Sequence, residues 1–404
     1  MSTTRTLDTL APNVPPLARV FLSLLARIRH GQVLLVTPSG EQLAFGDTQG
    51  SPRARLMVHD WRACGSILKS GDIGFADAWR KGWVSSPDLS ALLRLAIRNE
   101  DALSRTVHGS PLARLWFGLL HRLRRNTRAG SRRNIHAHYD IGNAFYGLWL
   151  DSTWTYSSAL FHGDYAISLE CAQGRKYQHI IDLLGLEPGM RVLEIGCGWG
   201  GFAAHAARQG IAVEGITISR AQAEFAERRL EREGLQNLAS VRLCDYRDVQ
   251  GTYDAIVSIE MFEAVGESFW NGYFRTVHDR LRPGGKAVIQ TITIEDSRFD
   301  AYRRSSDFIR QYIFPGGMLP GPQRFIAAAG RQGLSAEVKV GFGKDYAETL
   351  RRWSRAFEDN LPAVRRQGYD EDFIRLWFLY LAYCEAGFDE GRTDVVQFLL
   401  QRED

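Results

Sequence analysis

The chain has 404 residues, 45% of them hydrophobic and 11% aromatic, and 50 Lys+Arg against 46 Asp+Glu give a formal net charge of +4. This is more chain than one ordinary core needs, so one large domain or two are expected, and the composition excludes a disordered or fibrous protein. Five cysteines (Cys64, Cys171, Cys197, Cys244 and Cys384), odd in number and without metal-ligand spacing, exclude a full disulfide framework and suit a reducing cytoplasm.

A proline-containing start leads into apolar residues at helical spacing from Leu17 to Ile28. Arg19 and Arg27 interrupt them, so neither a secretory signal nor a spanning helix is expected, and any membrane contact is peripheral. Residues 32–37 and 41–45, separated by Pro38-Ser-Gly40, predict a hairpin. Residues 55–58 add a strand, and 64–68 and 90–99 add helices. Residues 1–108 thus read as a small α+β domain. Between His121 and Arg133 stand six arginines (Arg122, Arg124, Arg125, Arg128, Arg132 and Arg133) and no acid. This basic helical linker, 109–134, is either a solvated helix end or an attraction for the phosphates of lipid or nucleic acid.

From Ile135 the pattern changes. Short apolar runs at 192–195, 212–216, 240–243, 255–259 and 286–291 alternate with helical patterns such as 221–233. That alternation predicts an α/β domain over 135–404 with a doubly wound, mainly parallel sheet. Arg282-Pro-Gly-Gly285 reads as a turn feeding the last of these strands. Residues 338–342 and 395–400 close the sheet around helices at 345–360 and 370–385, whose aromatic faces suit a core.

At the end of the first of these strands stands Gly196-x-Gly198-x-Gly200-Gly201, preceded by Glu194. No Gly-Lys-Ser/Thr follows, which excludes a Walker loop, and the spacing is not that of a dinucleotide fingerprint. Glycines at 196 and 198 let backbone approach a ligand, and a carboxylate beside the turn suits a ligand carrying an ammonium group. S-adenosylmethionine is such a ligand, and the carboxyl ends of strands are where such sheets bind.

Leu193-Glu-Ile-Gly-Cys-Gly-Trp-Gly200 resembles the first motif of S-adenosylmethionine-dependent methyltransferases with a Rossmann-like sheet, and Leu281-Arg-Pro-Gly-Gly285 their late-strand turn. His138-Tyr-Asp-Ile-Gly-Asn143, Thr155-Tyr-Ser-Ser158, Met261-Phe-Glu-Ala-Val-Gly266 and Tyr312-Ile-Phe-Pro-Gly-Gly317 together look like the cyclopropane-fatty-acyl-phospholipid synthases, a family that includes mycolic acid methyltransferases. The resemblance implies that residues 1–108 are the smaller lipid-binding domain carried by phospholipid-modifying members, and that a cis alkene in a lipid acyl chain attacks the sulfonium methyl. Such a site must align the carbons, exclude water and stabilise a cation with aromatic faces. Tyr139, Tyr156, Trp199, Phe262 and Tyr346 are the candidates. The resemblance further implies cofactor contacts from Tyr156, Ser157, Glu194, Gly196, Gly198, Trp199, Gly200, Thr217, Ser219, Gln222, Asp245, Tyr246 and Arg247.

Synthases of this family hold bicarbonate as a bound base. Glu263, Ile292 and Tyr346 stand at matching positions, but Ser158 replaces the family's cysteine and Gln290 its histidine. Both can hydrogen-bond an oxyanion, yet glutamine cannot carry histidine's charge. Cyclopropane formation is therefore expected alongside a second outcome, a methyl-branched or methylene chain. Cys384 matches a cysteine sometimes assigned to the family's active site, although a helical cysteine is more often a small buried hydrophobe. The expected enzyme is cytoplasmic and peripheral to the inner face of a membrane whose phospholipids carry unsaturated acyl chains. Nucleic acid is not an expected partner, and a homodimer stays open. A small-molecule N-methyltransferase and a non-catalytic lipid-binding protein are the rival readings.

Overall fold

The computed structural model describes residues 14–107 and 141–403, the side chains of 104–107 excepted. The arginine segment and Tyr139 lie outside the described residues. Contacts divide the chain into two compact units. The first combines the N-terminal residues with Arg304–Ile313 and Val364–Gly391, two stretches from within the expected 135–404 domain.

In the first unit, α1 (Pro16–Leu25) precedes β1 (Gln32–Val36), β2 (Gln42–Gly46) and β3 (Arg53–Val58). Beyond α2 (Arg62–Arg80) come β4 (Val84–Ser85) and α3 (Leu89–Arg98). The strands lie in the order β2-β1-β3-β4, with β1 and β2 the antiparallel hairpin and β1 parallel to β3. Alternation buries Val33 and Leu35 opposite Phe45 and Leu43. The helix expected at 64–68 continues to Arg80 because Gly71 (φ +60°) takes up a kink and the chain resumes its turn beyond it. Glu371–Asp389 forms a long helix packed on α2 and α3. Trp79 donates to the Arg375 carbonyl at 2.9 Å, and Ser90 donates to Glu385 at 2.7 Å.

The second unit holds a seven-stranded sheet. Its parallel strands are β5 (Arg191–Ile195), β6 (Ala212–Thr217), β7 (Ala239–Leu243), β8 (Tyr253–Ile259) and β9 (Leu281–Ile294). With β10 (Leu334–Gly341) and β11 (Thr393–Arg402) the order is β10-β11-β9-β8-β5-β6-β7, and β11 runs antiparallel to both of its neighbours. The doubly wound α/β reading is correct. Arg282–Gly285 is drawn into β9 rather than forming a separate turn, and the register beside β8 shifts there as the extra residues bulge.

One sheet face packs on α4 (Leu169–Leu184), α5 (Gly201–Ala207) and α6 (Arg220–Arg232) through Ile180, Phe202, Ala226 and Leu230. The other packs on α7 (Trp270–Arg280) and α8 (Pro322–Gly330) through Tyr273, Phe274, Phe325 and Phe398. Burying each such large apolar side chain is worth about 1.5–3 kcal/mol. α9 (Gly343–Asp359) precedes the chain's return into β11. Winding reverses at β5, with β6 on one side and β8 on the other, so a crevice opens beyond the carboxyl ends of these strands.

Candidate active site

The glycine turn leaves β5 at this crevice. Gly196 (φ +82°) and Gly198 (φ +53°) adopt the left-handed backbone that excludes most side chains. They differ in surroundings. A Cβ on Gly196 would lie 2.8 Å from Met261, whereas one on Gly198 would meet nothing within 4 Å. Gly196 therefore serves packing, and Gly198 presents bare backbone to open space. Glu194 is buried beside them, and its Oε2 has no hydrogen-bond partner. Burial pushes its carboxyl up to about 8, against the opposing pull of Lys176 and Arg229.

The strongest convergence is on Glu260, the residue that follows β8. Its Oε1 accepts from the Ser158 backbone N–H and from Gln290 Nε2, both at 2.8 Å, and its Oε2 accepts from the Tyr346 hydroxyl at 2.6 Å. Ser158 and Gln290 are fully buried, while Glu260 keeps part of its surface accessible. Burial is the largest influence on the Glu260 carboxyl and raises it above the usual carboxylate range, against the pull of Lys176 and of its three hydrogen-bond donors. Glu260 has φ +50°, sparsely populated for any residue but glycine, and its N–H is held by the Gln290 carbonyl at 2.8 Å. A second layer fixes the Gln290 amide: Gln397 Nε2 donates to Gln290 Oε1 at 3.0 Å, and His179 Nδ1 lies 2.6 Å from Gln397 Oε1. Because that amide oxygen accepts, His179 carries its proton on Nδ1.

Sequence reading named Ser158, Gln290 and Tyr346 but missed the acid that gathers them. The available signal was a carboxylate one residue beyond an apolar strand, at the ligand-binding end of the sheet. Lys176 was missed as well. It stands at helical spacing between the buried Ala172 and Ile180, and its Nζ lies 2.6 Å from Ser157 Oγ. Burial pushes it down to about 7, opposed by the carboxylates of Glu260, Asp151 and Glu194.

Glu263 accepts from the Ile292 backbone N–H at 2.5 Å. Burial, then the charge of Glu260, push its carboxyl up to about 8. The Ser158 hydroxyl donates to the Ala159 carbonyl at 3.0 Å, away from Glu260.

Aromatic rings gather beside the glycine turn. Tyr156 packs against Tyr146, Trp149 and Trp353 at centroid distances of 5.3, 5.6 and 5.4 Å, and Trp199 lies 5.1 Å from Tyr146. Trp199 Nε1 donates to Asn143 Oδ1 at 2.8 Å, tying the end of the His138–Asn143 motif to the turn. Tyr346 reaches this array through Trp353. Phe262 does not. It is wholly buried among Trp270, Tyr273, Phe274 and Phe325 on the far face, where it packs the core.

The other predicted residues lie at neighbouring strand ends. Thr217 Oγ1 donates to Gln222 Oε1 at 2.9 Å, and Ser219 caps α6. Asp245 caps the short turn Tyr246–Asp248 and pairs with Arg247, while Tyr246 packs on Tyr273. Gly200 (φ +77°) opens α5. Cys384 belongs to the first unit, where burial and the Asp307 carboxylate push its thiol up, so it stays protonated.

S-adenosylmethionine fits what is present. Open space at Gly198 and an unpartnered buried carboxylate oxygen at Glu194 suit a ligand that combines a close backbone contact with positive charge. Bicarbonate does not fit. Of its five expected holders, Glu263 Oε1 and the Ile292 N–H are bonded to each other, Tyr346 and Gln290 are bonded to Glu260, and the Ser158 hydroxyl is bonded to Ala159, which leaves the buried Glu263 Oε2, a hydrogen-bond acceptor when ionised, without a partner. Among the described residues no cluster of three or more potential metal ligands occurs.

Residues 126–398 match the family described as Mycolic acid cyclopropane synthetase. Tuberculostearic acid methyltransferase UfaA1 of Mycobacterium tuberculosis is 38% identical over 93% of this chain and 88% of its own length. The cyclopropane-fatty-acyl-phospholipid synthase of Escherichia coli is 33% identical over 87% of this chain and 89% of its own. The crystal structure of mycolic acid cyclopropane synthase CmaA1 complexed with SAH and CTAB superposes with a TM-score of 0.62 at 31% identity, covering 67% of this chain and 98% of that one. The chain therefore belongs to the mycolic acid cyclopropane synthetase family and is an S-adenosylmethionine-dependent methyltransferase.

Proposed function

We propose that this enzyme transfers one carbon from S-adenosylmethionine to the cis double bond of unsaturated acyl chains in membrane phospholipids. Bound S-adenosylmethionine supplies an electrophilic methyl group. The chain's residues do the rest. Gly198 and Glu194 seat the donor, and the ring array of Tyr146, Trp149, Tyr156, Trp199 and Trp353 is the observation that carries the reading. Ring faces stabilise developing positive charge on an alkene carbon without offering a nucleophile that would trap it. Glu260, linked to this array through Tyr346 and Trp353, has its nucleophilicity blunted by three donors.

The phospholipid acceptor is supported by the similarity to the Escherichia coli synthase and by the arginine-rich segment 121–133, which suits an anionic lipid surface. Among the described residues no helix is long and apolar enough to cross a membrane, which accords with peripheral docking on a cytoplasmic face. A methyl-branched or methylene product is the second reading. It is favoured by the departures at Ser158 and Gln290 and by the similarity to a tuberculostearic acid methyltransferase over most of the chain.

The test is incubation of the purified enzyme with S-adenosylmethionine and vesicles of unsaturated phospholipid, followed by proton NMR of the lipid. Upfield ring protons identify the cyclopropane, and olefinic methylene protons identify the second product, which has the same mass. No carbon added to any acyl chain would sink both readings.

A further inference from the structure

We infer that Glu260 is a built-in base that occupies the place of a bound bicarbonate ion and takes the proton lost from the reacting lipid. The inference rests on the function proposed above. Three observations lead to it. Tyr346 and Gln290, two of the groups expected to cradle an external anion, and the backbone N–H of Ser158, whose hydroxyl was a third, all donate to this one side chain. The donor residues Ser158 and Gln290 are fully buried, whereas Glu260 as a residue is only partly so. Glu260 has left-handed backbone, and the next residue, Met261, packs on Gly196, so the residue that bears the carboxylate adjoins one that touches the glycine turn.

The step balances in atoms and electrons. An alkene π pair bonds one chain carbon to the methyl, whose former bonding pair stays with sulfur, and the cation is left on the adjacent chain carbon. Glu260 Oε2, which accepts from Tyr346 alone among the donors named, takes a proton from the transferred methyl. The freed C–H pair closes the three-membered ring. After a 1,2-hydride shift, the same proton removal yields the exocyclic methylene. The carboxyl group then returns its proton to water.

The experiment compares wild type, Glu260→Gln and Glu260→Gly in bicarbonate-stripped buffer and with added bicarbonate. Glycine suits the backbone at φ +50° and reopens the cradle. Removing a positioned general base typically costs about 100-fold or more, so Glu260→Gln is expected to lose that much turnover while binding S-adenosylmethionine normally by calorimetry. Wild type is expected to keep its rate without bicarbonate, and Glu260→Gly to regain activity only when bicarbonate or formate is added. A wild-type rate that collapses on stripping and returns with bicarbonate overturns the inference, as does a Glu260→Gln variant of nearly wild-type rate. An arm independent of turnover uses carbon-13 bicarbonate and NMR. Binding by Glu260→Gly but not by wild type supports the inference, and binding by wild type overturns it. Because this arm needs no lipid, failure of the proposed acceptor and failure of Glu260 as base are told apart.

Discussion

The Tyr346 hydroxyl and Glu260 Oε2 meet at 2.6 Å although 86 residues of chain separate them. One stands on α9 and the other at the end of β8, so their pairing is a product of the fold. It couples the aromatic array, through Trp353, to the carboxylate.

Replacing Tyr346 by Phe keeps the ring and removes the donor. A hydrogen bond to a charged group is worth about 1.5–3 kcal/mol, so turnover is expected to fall by roughly 10–100-fold as the carboxylate loses its alignment. KM for the lipid is expected to change little, because the ring still packs on Trp353. Initial rates over a range of vesicle concentrations check this, and an unchanged turnover number would separate Tyr346 from the chemistry.

Stability should depend on pH through Glu263. Its carboxyl is raised from 4.5 to about 8 in the folded state, mainly by burial, so the folded chain holds that proton more tightly than the unfolded one. The resulting stability is complete below pH 4.5 and is lost as pH rises through about 8. Lys176 has the opposite sign: lowered from 10.5 to about 7, it costs stability as pH falls through that range. Between about pH 5 and pH 7 the Glu263 effect therefore outweighs that of Lys176 and adds to the same-signed effect of Glu194, also raised to about 8. The melting temperature of Glu263→Gln should fall less across this interval than that of wild type. Equal slopes in a thermal-melt series would show that Glu263 does not hold its proton in the folded state.

Gly198→Ala and Gly201→Ala test the donor seat against simple packing. A Cβ at Gly198 enters open space, so the cost to folding is the backbone strain alone, about 1–2 kcal/mol. It also stands where the donor is to approach, and the dissociation constant for S-adenosylmethionine should rise at least about tenfold, the equivalent of 1.4 kcal/mol. At Gly201 the Cβ would press against the Tyr177 hydroxyl, and the loss should be chiefly in stability. Calorimetry and thermal melts read the two quantities separately. Equal donor affinity for Gly198→Ala and wild type would remove the turn from the donor site.

The sheet was legible because apolar runs bounded by turn residues report strands directly, and β5, β6, β8 and β11 fall where that pattern put them. Gly71 shows a limit: a glycine that reads as a stop can carry a kink inside one continuing helix. Site residues drawn from motifs were legible as identities but not as partners. Ser158, Gln290 and Tyr346 lie far apart in sequence and share no local pattern, so nothing in the chain announces that they converge on Glu260. That residue sits outside every periodic signal. Lys176 was hidden for the converse reason, since a lysine among apolar helix positions ordinarily snorkels to the surface rather than turning inward.

Membrane docking through residues 121–133 should be electrostatic. Each basic side chain near an anionic bilayer contributes about 1 kcal/mol, so replacing the six arginines by glutamine should weaken binding by at least about 100-fold, even if only half of them reach the surface. Raising salt from about 0.05 M to about 0.5 M should weaken the wild-type protein similarly, because screening then acts within a few ångströms. Neutral vesicles should bind poorly at any salt. Co-sedimentation with phosphatidylglycerol-containing and phosphatidylcholine vesicles measures both effects. Turnover with a short-chain lipid dispersed in detergent should survive the replacements, since Glu260 and its donors lie outside the altered segment. Binding indifferent to both salt and arginine content would place the docking surface elsewhere on the chain.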